Sequence, residues 1–92
     1  MIESFRCRET ERLWRTGRSR RFANIAAVAA RKLDMIDAAR ALDDLRWPPG
    51  NRLEALRGDR RDQHSIRVND RWRVCFVWTG SDARHVEIVD YH

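Results

Sequence analysis

Gln63-His64-Ser65-Ile66-Arg67-Val68, Asn69-Asp70-Arg71 and Trp72-Arg73-Val74-Cys75-Phe76-Val77-Trp78 form the stretch that decides the fold. Both outer runs alternate with a period of two, as half-buried strands do. In the first, His64, Ile66 and Val68 share one face, with Ser65 and Arg67 on the other. In the second, Trp72, Val74, Phe76 and Trp78 lie together, opposite Arg71, Arg73, Cys75 and Val77. A two-residue loop at Asn69-Asp70 would set Ile66 against Arg73 and Arg67 against Trp72, mixing core and charge. A three-residue loop, Asn69-Asp70-Arg71, pairs Val68 with Trp72 and Ile66 with Val74. Because a slip of one residue turns every side chain over, the second register is expected. It sets Arg67 opposite Arg73 on the face away from the core. Facing like charges destabilise a hairpin by some tenths of a kcal/mol, roughly. Either an anion sits between them, or they splay into solvent.

Downstream, the run from Arg84 to Tyr91 is rich in Val and Ile and reads as a third strand. Upstream, Trp47-Pro48-Pro49-Gly50-Asn51 cannot continue a helix and divides a helical first half from a strand-rich second. A long helix is expected over residues 21–42, where Phe22, Ile25, Ala29, Leu33, Ile36 and Ala39 recur in steps of three and four. A shorter helix over residues 8–16 would stop at Gly17, and residues 1–5 would open with a strand. The order predicts an α+β domain in which helices cover one face of a sheet. A chain of 92 residues suits a single domain, 1–92, with a modest core.

The net charge of +5 makes an anionic partner plausible, and Lys32 is the one lysine, so the positive charge is nearly all arginine. Arginine's planar fork suits phosphate, but a GC-rich genome also enriches arginine, and charge alone does not choose between them. Cys7 and Cys75 belong to no metal-binding spacing and read as thiols of a reduced, cytoplasmic protein. His64, His85 and His92 form no metal motif, so no metal and no cofactor are expected. By register His64 faces the core, and His85 falls near a turn. The longest uncharged run, Phe22 to Ala30, is too short to span a bilayer, and no membrane role is expected.

Three boxes then stand in order: Leu53-Glu54-Ala55-Leu56-Arg57-Gly58-Asp59-Arg60, the hairpin from Ser65 to Val74, and the closing Val86-Glu87-Ile88-Val89-Asp90-Tyr91-His92. Together they resemble the HigB branch of the RelE/ParE toxin superfamily. The resemblance implies a RelE-like fold, with two N-terminal helices packed on a twisted, mostly antiparallel sheet. It also implies a metal-independent endoribonuclease that cuts translated mRNA in the ribosomal A site. Arg73 matches the family's sheet arginine and would stabilise the transition state. Asp90, Tyr91 and His92 match its active tail. Arg57, Arg60, Arg67 and Arg71 are candidates for RNA phosphate.

In one respect the sequence departs from the pattern. Some HigB-type toxins carry a histidine where this chain has Glu54, which would serve as general base or else pair with Arg52 or Arg57. The partners implied are a HigA-type helix-turn-helix antitoxin, the 70S ribosome and mRNA, with promoter DNA reached only through the antitoxin. The exposed faces of the two helices are the expected antitoxin surface. Two alternatives stand beside this reading: a non-enzymatic, ParE-like inhibitor of DNA gyrase, and a plain nucleic-acid-binding module.

Overall fold

The computed structural model describes residues 1–90. Its α+β fold has two helices, α1 (Arg8–Thr16) and α2 (Ala26–Ala38), and four strands. The strands are β1 (Glu54–Ala55), β2 (His64–Arg67), β3 (Trp72–Trp78) and β4 (Ala83–Asp90), antiparallel throughout in the order β1-β2-β3-β4. The core lies between helices and sheet. Leu13 comes from α1, Ala29, Leu33 and Ile36 from α2, and Ile66, Val74, Phe76, Val86 and Ile88 from the strands.

The β2–β3 register is the expected one, with Ile66 opposite Val74 and Arg67 opposite Arg73. The turn is closed by Asn69, whose Oδ1 accepts the backbone N–H groups of Arg71 (2.9 Å) and Trp72 (2.8 Å). An asparagine that mimics the backbone in this way fixes the loop length, and through it the faces of both strands. His64 lies on the helix side, as expected, stacked on Phe76 with ring centroids 6.5 Å apart.

The long helix is shorter than its apolar stripe. A 3-10 turn, Ala23–Ile25, precedes α2, and Phe22 is buried in a non-helical conformation (φ −113°, ψ 24°). At the other end Ala39 turns extended (ψ 133°). The Asp44 carboxylate accepts the N–H groups of Ala41 and Arg40, and a 3-10 turn, Leu42–Arg46, follows. Those bonds hold Asp44 below the usual carboxylate range. The buried Phe22 and this acceptor at Asp44 override the helical period at the two ends. Helix α1 ends as expected: Gly17 is left-handed (φ 75°), and its N–H donates to the Leu13 carbonyl at 2.7 Å.

The opening segment is not a continuous strand. It runs parallel to β4 through two separate bridges, Ile2 to Ala83 and Phe5 to Val86. Between them His85 adopts φ 53°, and the β3–β4 register slips between Cys75 and Val77. This bulge interrupts the ladder on both sides of β4.

Candidate active site

Across the sheet, Glu54, Ser65, Cys75 and Glu87 stand level on successive strands, with Arg67, Arg73 and Val89 in the next row. Alternation puts both rows on the face away from the helices. That polar row is the candidate site.

Arg73 is its centre and is nearly buried, its side chain 10% exposed. Its Nε donates to Ser65 Oγ at 2.7 Å, one Nη donates to the Arg52 carbonyl at 2.8 Å, and Glu54 Oε1 lies 3.5 Å away. A buried guanidinium needs such acceptors, because an unpaired charge away from water is costly. Neutral oxygens on two sides fix the plane of the fork, and Glu54 supplies a counter-charge. Glu54 therefore pairs with Arg73, rather than with Arg52 or Arg57. Two strands bring them together: the Glu54–Ser65 pairing lays β1 beside β2, and β2 carries the serine that orients Arg73.

Both facing arginines have protein partners among the described residues. Arg67 forms an ion pair with Asp70 in the turn, while Arg73 is held by Ser65, Arg52 and Glu54. Arg60, from the 3-10 turn Gly58–Arg60, donates to Glu87 Oε1 at 2.7 Å and to Gln63 Oε1 at 3.0 Å. Its guanidinium thus lies over the row that contains Glu87. Arg57 is exposed just before that turn.

Beneath the charges sits Cys75, fully buried. Burial pushes its thiol up to about 11, and Glu87 and Glu54 add to the rise against Arg60 and Arg73. The thiol is protonated at neutral pH and is not a nucleophile.

Asp90 is elsewhere. It is level with Trp72, whose ring meets Phe22 of the core edge-on at 5.5 Å, so its side chain leaves the sheet on the helix side. There Asp90 accepts two hydrogen bonds from Arg71, at 2.9 and 2.7 Å, and this contact raises Arg71 above the usual arginine value. Arg71 also lies over the Trp72 ring, 5.4 Å from its centroid. Asp90 thus meets Arg71 on the face opposite Arg73. Tyr91 and His92 lie outside the described residues.

Sequence reasoning missed Ser65, Glu87, Gln63 and the Arg52 carbonyl. The first two were within reach of strand alternation, which puts Glu87 off the core face between Val86 and Ile88. Gln63 and Arg52 act from outside the strands and left no periodic signal. Among the described residues, no three His, Cys, Asp or Glu side chains are grouped to hold a metal ion.

Residues 3–92 match the family model described as the RelE-like toxin HigB of type II toxin–antitoxin systems. The chain belongs to the HigB-like toxin family. Among its relatives, Toxin HigB-1 of Vibrio cholerae is 46% identical over 61 residues, covering 66% of this chain and 64% of that one. An uncharacterized protein of Haemophilus influenzae is 39% identical over 64 residues, covering 70% of this chain and 63% of the relative. In both cases the match spans just under two thirds of the relative's length. Among the described residues, no helix is long and apolar enough to cross a membrane.

Proposed function

We propose that the chain is a toxin that cleaves mRNA on the translating ribosome, using the sheet face around Arg73. The observation that carries this reading is the near-buried Arg73 guanidinium, fixed by Ser65 Oγ and the Arg52 carbonyl beside the Glu54 carboxylate.

RNA supplies its own nucleophile. The 2′-oxygen bonds to the adjacent phosphorus, the bond from phosphorus to the 5′-oxygen breaks, and the products carry a 2′,3′-cyclic phosphate and a 5′-hydroxyl. The protein must take the 2′-hydroxyl proton, steady the extra negative charge on phosphorus and return a proton to the 5′-oxygen. Arg73 supplies the positive charge, preorganised because its fork is already oriented. Glu54, within ion-pair reach of that fork, takes the proton of the ribose 2′-hydroxyl next to a phosphate docked on Arg73. Arg67, Arg60 and Arg57 position the flanking phosphates. Tyr91 and His92 take the acid role that the family resemblance implies. Asp90, which accepts from Arg71 on the other face, orients the tail residues that follow it.

The partners follow the same reading: the 70S ribosome and its message in the cytoplasm, a HigA-type helix-turn-helix antitoxin, and promoter DNA only through that antitoxin. The HigB-like match favours this over a gyrase inhibitor of the ParE type. Induced expression tests it. Wild-type chain should arrest growth, and Arg73→Ala should not, although it accumulates as folded protein. An Arg73→Ala variant as toxic as the parent would end the assignment.

A further inference from the structure

A cleft of about 750 Å³ lies where α1 turns into α2, lined by Arg12, Arg18, Arg20 and Arg21 with Glu9, Ser19 and Ala26 among the rest. Four arginines and a single carboxylate line it, the Arg21 guanidinium lies over the Phe22 ring, and the carboxylate is engaged: Ser19 Oγ donates to Glu9 Oε2 at 2.7 Å. Among the described residues Arg12, Arg18 and Arg20 have no ion pair, whereas Arg67, Arg71 and Arg73 on the hairpin each have an acidic partner. Exposed positive charge with so few counter-charges favours an incoming anion.

We infer that this cleft is a second RNA-phosphate site, separate from the face that cuts. The inference rests on the RNA-cleaving reading and extends it to how the RNA is gripped. Two observations favour a nucleic-acid backbone over an acidic protein. The apolar lining is two alanines, Ala23 and Ala26, whereas protein interfaces centre on large apolar or aromatic anchors. Backbone recognition needs little besides arginine forks and polar donors, which the segment from Arg18 to Arg21 supplies. The cleft sits on the helical layer, and Arg73 opens on the opposite face of the sheet. The molecule measures 31 × 26 × 26 Å, so one extended strand of RNA can touch both.

The test is binding of a labelled oligouridine of about 20 nucleotides across roughly 50 to 200 mM salt. The proteins compared are wild type, Arg12→Ala/Arg18→Ala/Arg20→Ala, and the matching triple lysine variant. All three positions are exposed, and thermal melts confirm that each variant folds. The alanine variant should bind about tenfold more weakly at low salt, with its log–log salt slope shallower by about 2, as expected for three lost phosphate contacts on a single strand. The lysine variant should keep the slope. An alanine variant with wild-type affinity and slope would overturn the inference. So would unchanged RNA binding with lost antitoxin binding, which would make the cleft an acidic-protein site. If the alanine variant loses the slope but wild type never cuts message, the cleft stands and the nuclease reading falls.

Discussion

Arg73 touches a hydroxyl, a backbone carbonyl and a carboxylate, and each contact has a separate consequence. Replacing it with alanine should lower message cleavage by about 10²- to 10³-fold, the usual cost of one preorganised transition-state donor. The Ser65 hydroxyl acts through Arg73 and is a positioning residue. Ser65→Ala should cost about 1 kcal/mol of stability in denaturant titration, for one hydrogen bond lost. It should also lower the single-turnover cleavage rate more than RNA affinity, because it loosens the fork without removing its charge. An equal fall in both would show that the serine only supports the fold.

Cys75 makes a pH prediction of definite sign. Its folded value, about 11, lies above the reference value of 9.0. The protonated thiol is thus the form the fold favours. Its contribution to stability is fully present below about pH 9 and is lost as pH rises through about 11. Unfolding midpoints of wild type should fall across that window, and those of Cys75→Ala should fall less. In the native state the thiol should also resist alkylation at pH 8, reacting only after denaturant is added.

At the scale of elements, the β2–β3 hairpin sets the site, and Asn69 sets the hairpin. Its Oδ1 satisfies two turn N–H groups, so Asn69→Ala should lower stability by about 1 kcal/mol or more and reduce toxicity with Arg73 untouched. A thermal melt paired with a growth assay checks it, and an unchanged melting midpoint would discount the turn. This element was the most legible part of the sequence, because alternation leaves one register that does not mix core with charge. The same rule read along β4 sets Asp90 in phase with Val86 and Ile88, on the helix side. The resemblance assigns Asp90 to the catalytic tail, and the register adds a contact with Arg71. Helix ends were less legible. The apolar stripe of α2 runs on through Phe22 and Ala39, and what stops the helix is non-periodic: one buried ring and one carboxylate. The acceptors of Arg73 and Arg60 were illegible for a different reason. Arg52 and Glu87 lie 21 and 27 residues from them, and only the folded sheet brings them together.

At the scale of the whole molecule, the two layers differ in how they carry charge. The sheet's outer face carries a guanidinium fixed beside a carboxylate, and the helical layer carries exposed charge. The antitoxin is expected on the helical layer, where Arg31 of α2 and Arg40 just beyond its end are exposed. Reversing both charges should weaken the complex by tenfold or more in calorimetry, and unchanged affinity would move the antitoxin elsewhere. The central claim is that Arg73 cuts message on the ribosome. The direct measurement is cell-free translation of a defined message with 5′ ends mapped by primer extension, comparing wild type with Arg73→Ala, with and without ribosomes. Cuts are expected at codon positions that need both ribosomes and Arg73. Intact message with undisturbed translation would contradict it, and inhibition of gyrase supercoiling would then be the activity to seek.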